Sequence, residues 1–209
     1  MTDLIFYTNP MSRGRIARWM LEEVGEPYET ILLDYGTTMK GADYLAVNPM
    51  GKVPAIRHRD VVVTETAAIC AYLAEAFPAA NLAPPVGDTR RGDYLRWLFF
   101  TAGPVEAAVT NKSQGFESDK AMMLGYGSFD DTMNALEYAI SRGPYICGDQ
   151  FTAADVYVGA QIGWGLMFKS MPDRPAFVDY YGRLKDRPAA QRANALDDAA
   201  MPKPDDVPA

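Results

Sequence analysis

The chain has 209 residues, 48% of them hydrophobic, and a formal net charge of −7. That length buries one sizeable core or two small ones, and the acidic balance argues against a nucleic-acid partner, whose phosphates need a basic face. No run approaches the roughly 20 apolar residues that span a bilayer, and the opening MTDLIFYTNP lacks a basic leader, so a cytoplasmic protein with no membrane partner is expected.

In chain order, the apolar run 4 to 7 (LIFY) ends in Thr8-Asn9-Pro10, which predicts a buried strand stopped by a turn. Ile16, Trp19, Met20, Glu23 and Val24 recur at helical spacing, and Gly25 supplies a stop signal before Pro27. A second strand fits residues 28 to 33. Strand, helix and strand in this order describe a βαβ unit with parallel strands. A polar loop (34 to 41) and a short helix (42 to 47) lead to NPMGKVPAI at 48 to 56. There Pro54, which cannot donate to a ladder, stands at a strand's first residue. Residues 61 to 63 extend the sheet, and Glu65-Thr66 opens a helix with Ile69, Tyr72, Leu73, Ala76 and Phe77 on one face.

Residues 78 to 88 are rich in Pro, Ala, Asn and Gly and read as a linker between a first domain at 1 to 77 and a second at 89 to 209. Strand signals vanish beyond it. Helical spacing recurs at 94 to 109, 121 to 140, 153 to 168 and 177 to 184, so the second domain is expected to be all-helical, with a frayed tail at 201 to 209. Thr152-Ala153-Ala154-Asp155 has the pattern of a capping box, with Phe151 and Val156 placed for a hydrophobic staple. That signal is structural, and Asp155→Ala is expected to cost about 1 kcal/mol or more.

The two cysteines, Cys70 and Cys147, lie in apolar stretches without a CxxC pair and read as reduced core residues. With His58 as the single histidine, a zinc site lacks ligands and no metal is expected. Residues 1 to 60 hold seven Lys/Arg against eight Asp/Glu, so nearly all the acidic excess lies beyond them. The first segment can host a small anion.

The order of elements, together with NPMGKVPAI (48 to 56), TETAAICAYL (64 to 73) and GDQFTAAD (148 to 155), resembles the cytosolic glutathione S-transferase family of bacterial type. The resemblance covers essentially the whole chain. It implies an α/β thioredoxin-like domain followed by an all-α domain, glutathione as co-substrate, and a homodimer with a role in detoxification. It further implies a cis bond before Pro54, which turns the Val53 amide and carbonyl toward the tripeptide. Glu65 and Thr66, at a helix start that attracts a carboxylate, would take the γ-glutamyl end, and Lys52 or Lys40 the carboxylates. Taken alone, Glu65 and Thr66 are equally well first-turn and capping residues, and the lysines solvated surface groups.

Such a transferase needs glutathione's thiolate, and a thiol of pKa about 8.5 is only slightly ionised at pH 7. Lowering that pKa by about two units stabilises the anion by about 2.7 kcal/mol. A hydrogen-bond donor between the first strand and first helix can supply this. Ser12 is the first choice in that window, followed by Asn9, Thr8 and Tyr7, with nearby arginines adding positive potential; Ser12 as a plain helix cap remains the alternative. No cysteine lies there, which favours conjugation to an electrophile over exchange through a mixed disulfide with the protein. A glutathione-dependent isomerase, dehalogenase or ether-cleaving enzyme would share these residues, and a noncatalytic binding protein is the other alternative. The electrophile is expected to meet an apolar wall of aromatics drawn from Tyr94, Trp97, Phe100, Phe116, Trp164 and Phe168, although such stripes are more often core.

Overall fold

A computed structural model describes residues 3 to 116 and 118 to 202. The frayed tail expected at 201 to 209 falls almost wholly outside them. Contacts divide the chain into two compact units, one holding the described residues up to Leu73 together with those from Arg187 onward, the other running from Ala74 to Asp186.

In the first unit, β1 (Leu4–Thr8), β2 (Glu29–Leu32), β3 (Ala55–His58) and β4 (Val61–Thr64) form a sheet of order β2-β1-β3-β4. β2 runs parallel to β1, as a single-helix crossover requires, while β1/β3 and β3/β4 are antiparallel. The crossover helix α1 (Gly14–Val24) buries Ile16, Ala17, Trp19, Met20 and Leu21 and stops at Gly25, whose φ of 79° few other residues adopt. α2 (Ala42–Leu45) precedes the loop into β3, and α3 (Thr66–Ala76) follows β4. This is the thioredoxin-like arrangement expected.

Chain order alone puts everything after residue 88 in one helical domain, but α9 (Pro188–Ala199) packs on α1 in the first unit. The cause is polar. Asp197, fully buried, pairs with the almost fully buried Arg18 at 2.8 Å. Arg187 to Glu23 and Arg192 to Glu22, at 2.7 and 3.0 Å, hold the same two helices together.

The second unit contains α4 (Arg90–Phe100), α5 (Glu106–Ser113), α6 (Phe129–Ile140), α7 (Ala153–Met167) and α8 (Pro175–Lys185). The expected helix 94 to 109 is interrupted: Thr101–Val105 widens into a π-helical turn around Pro104, which has no amide hydrogen to give to the ladder. The expected helix 121 to 140 is also shorter. Only Ala121–Met123 forms a single 3-10 turn; Gly127 takes φ of 68°, and Ser128 caps α6 by accepting from the Asp131 amide at 3.0 Å. The Thr152/Asp155 capping box is present at the start of α7. Among the described residues, no helix is long and apolar enough to cross a membrane.

Candidate functional site

The sheet register decides which loops meet. Tyr7 faces Ala55 across β1/β3, and Ala55 faces Thr64 across β3/β4. One or two residues beyond these pairs, Thr8-Asn9, Val53-Pro54 and Glu65-Thr66 all emerge at the same end of the sheet. Three segments far apart in sequence thus border one place.

The segment before β3 is held tightly. Tyr44 Oη and Asn48 Nδ2 both donate to the Lys52 carbonyl, at 2.6 and 2.7 Å. Gly51 has φ of 57°, and a Cβ there would lie 2.9 Å from the Met39 carbonyl oxygen, so only glycine fits. Lys40 Nζ donates to the Met50 and Gly51 carbonyls at 3.1 and 2.7 Å. Lys40 is therefore committed to this loop, whereas the exposed Lys52 ammonium has no partner among the described residues. The bond between Val53 and Pro54 is cis. Val53 itself packs against a small core of Tyr7, Leu33, Met39, Tyr44 and Ala55, while its amide and carbonyl make no hydrogen bond among the described residues. A partly buried backbone at the end of the sheet with both groups unpaired is set up to receive an extended ligand.

Glu65 carries a left-handed φ of 65°, uncommon for a residue with a Cβ. Its carbonyl accepts the first bond of α3, from the Ile69 amide at 2.9 Å, while its side chain stands exposed and the following Thr66 is buried. The strain lets the chain turn sharply from β4 into α3 and leaves carboxylate and hydroxyl side by side at a helix start.

The turn between β1 and α1 places the four candidate donors in different settings. Tyr7, Thr8 and Asn9 are buried, and Ser12 alone is partly open. The Thr8 hydroxyl is enclosed against Gly14, where a Cβ would collide with it. Asn9 is a strut: its amide nitrogen donates to the Leu33 carbonyl at 2.8 Å, and its Oδ1 accepts from the Met11 amide at 2.9 Å. Ser12 Oγ donates to the Asn9 carbonyl at 2.7 Å and accepts from the Gly14 amide at 2.9 Å, so it does cap the turn. Arg15 and Arg18 are paired with Asp198 and Asp197 of α9, so of the arginines in this window the charge of Arg15 is partly offset by a carboxylate.

Of the six aromatics expected to wall the second substrate, Tyr94 and Trp97 are core residues of the second unit. Phe116 and Phe168 are exposed, and Phe100 and Trp164 lie between. No group of three or more His, Cys, Asp or Glu among the described residues could hold a metal ion.

Residues 11 to 76 match the family model described as the N-terminal domain of glutathione S-transferase. A solved glutathione transferase from Methylococcus capsulatus is similar over 94% of this chain and 99% of its own, with a TM-score of 0.80 and 29% identity. The chain has the glutathione transferase fold, and residues 11 to 76 carry the likeness to that family's N-terminal domain. The glutathione S-transferase GstA of Escherichia coli O157:H7 is 27% identical over 83% of this chain and 88% of its own length. A sphingomonad glutathione S-transferase, solved in complex with glutathione, is 28% identical with a TM-score of 0.76, covering 93% of this chain and 98% of that one.

Some residues that shape the site escaped sequence reasoning. Asn48 and Tyr44 support the Val53 segment by donating to the Lys52 carbonyl, and only the NPxGK spacing hinted at Asn48. Nothing in the sequence pointed to Asp197 and Asp198.

Proposed function

We propose that the protein binds glutathione on its first unit and conjugates the thiolate to an electrophilic, largely apolar small molecule. The observation that carries this reading is the unpaired amide and carbonyl of Val53 at the sheet end shared with Glu65 and Thr66. A γ-glutamyl tripeptide offers the complement: a peptide edge for Val53, an ammonium for Glu65, a carboxylate for Thr66 and the helix start, and a carboxylate for Lys52. The sphingomonad relative solved with glutathione supports the same ligand.

Ser12 is the donor to sulfur in this reading, being the partly open member of the four. Its hydroxyl swings from the Asn9 carbonyl to the thiolate while its oxygen keeps the Gly14 amide. A preorganised donor stabilises the anion, and binding supplies proximity to the electrophile. Lys40 acts on the loop, and Asn9 holds the turn. Homodimerisation belongs to the same proposal; the exposed Val61 and Val62 of edge strand β4 suit it.

Calorimetric titration with glutathione, with Glu65→Gln beside the wild type, tests binding. A loss of about tenfold or more, roughly 1.4 kcal/mol, is expected for the variant. Absence of binding by the wild type at millimolar glutathione would refute the function. Turnover of chlorodinitrobenzene by the wild type and Ser12→Ala then separates a transferase from a binding protein.

A further inference from the structure

A line of polar contacts runs from the last helix to the turn that carries Ser12. Arg15 Nε donates to the Pro10 carbonyl at 2.6 Å, and its Nη2 donates to Asp198 Oδ1 at 2.7 Å. Pro10 lies between Asn9, whose carbonyl holds the Ser12 hydroxyl, and Ser12 itself. The guanidinium thus grips the backbone of the turn with one nitrogen and α9 with another.

Asp198 is 68% exposed and, as an isolated surface partner, would add little to stability. Its neighbour gives it a fixed place. Asp197 is fully buried, its Oδ1 accepts from Arg18 Nε at 2.8 Å, and its Oδ2 has no hydrogen-bond partner among the described residues. Arg18 in turn donates to the Tyr28 and Thr30 hydroxyls and lies over the Phe6 ring. A charge pair enclosed in this way tolerates no slippage of α9 along α1, because slippage would leave both charges buried and unpaired. Asp198 is therefore presented to Arg15 at one register.

We propose that Asp198 is a positioning residue for the thiol-activating turn, acting through Arg15 on the Pro10 carbonyl. The proposal rests on the reading of Ser12 as the donor to sulfur. With Asp198 gone, Arg15 keeps its charge but loses one of its two fixed points, and the Pro10 peptide is no longer held where it aims the Ser12 hydroxyl. Lysine at position 15 does not substitute, since a single ammonium lacks the fork that reaches both oxygens.

Two readouts on the full chain test this, with Arg192→Ala as the control that removes an α9–α1 ion pair away from the turn. In the ligand-free protein, amide hydrogen exchange over residues 9 to 15 is expected to accelerate in Asp198→Ala and Arg15→Lys, to return toward wild type in Asp198→Glu, and to stay unchanged in Arg192→Ala. With glutathione bound, the ultraviolet thiolate signal is expected to titrate about one pKa unit higher in Asp198→Ala, a tenfold loss of thiolate stabilisation, with glutathione affinity within about twofold. Unchanged exchange in Asp198→Ala, or equal acceleration in Arg192→Ala, overturns the proposal. So does accelerated exchange with an unmoved thiol pKa. If the wild type binds no glutathione, the proposed function fails separately, and the exchange comparison alone decides whether Asp198 positions the turn.

Discussion

The Tyr180 hydroxyl donates to Asp155 Oδ1 at 2.7 Å, and neither residue reaches solvent. The same carboxylate accepts from the Ile146 amide at 2.8 Å, the Thr152 amide at 2.8 Å and the Thr152 hydroxyl at 2.9 Å. Burial pushes the Asp155 carboxyl up, and these four donors pull it back. For Tyr180, burial first and the Asp155 charge next raise the phenol well above its ordinary range.

Asp155→Ala strands three buried donors beyond the helix cap, so its cost exceeds that of a cap alone. We expect a loss of about 3 kcal/mol or more, read from urea unfolding midpoints. Tyr180→Phe should cost about 1 to 2 kcal/mol, and the double variant should fall short of the sum because the two share one bond. A value near 1 kcal/mol for Asp155→Ala would mean that the cap is its whole contribution.

That difference shows what the sequence can carry. The spacing Thr152 to Asp155 is local and predicts the cap, but Ile146 and Tyr180 reach the same carboxylate from outside the motif, and no local pattern announces them. The same holds for the candidate site. Val53, Glu65 and Thr66 are legible from motifs and emerge at one sheet end because the strand register is regular. The last helix is not legible, because its buried face consists of Ala189, Ala190, Ala193 and an aspartate, which has no amphipathic signature. Pro104 was visible in the sequence, yet whether the helix ends or widens there depends on its packing.

Cys70 sits in complete burial, which pushes its thiol from an ordinary 9.0 up to about 12; burial likewise raises Cys147 to about 11. Each thiol keeps its proton longer in the folded chain than in the unfolded one. Their contribution is fully present below pH 9 and is lost as pH rises from there toward 12. Stability should therefore fall above pH 9, with a shallower slope in Cys70→Ala. A thiol reagent at pH 8 should modify neither cysteine until the protein is unfolded, and rapid modification of the native protein would contradict this burial.

Glu65 holds its left-handed backbone at a cost that a glycine would not bear. Glu65→Gly is expected to be about 1 kcal/mol more stable than Glu65→Ala in thermal unfolding. Both should lose glutathione affinity equally if the carboxylate is what matters. Weaker binding by Glu65→Gly than by Glu65→Ala would place the contribution in backbone rigidity instead.

Gly51→Ala puts a methyl against the Met39 carbonyl and forces a left-handed φ on alanine. We expect a loss of about 2 kcal/mol or more in stability together with weaker glutathione binding, since the shifted loop carries Val53. Calorimetry at a temperature well below the midpoint separates the two effects.

The placement of α9 has a consequence for synthesis. Residue 18 leaves the ribosome long before residue 197, so Arg18 meets its buried carboxylate only when residue 197 has emerged. At about 5 to 20 residues per second, that is a delay on the order of 10 s or more. Through that interval a guanidinium bound for the interior has no counterion, so the first unit waits for α9, and the second unit, whose residues lie between, is free to fold before the first is complete.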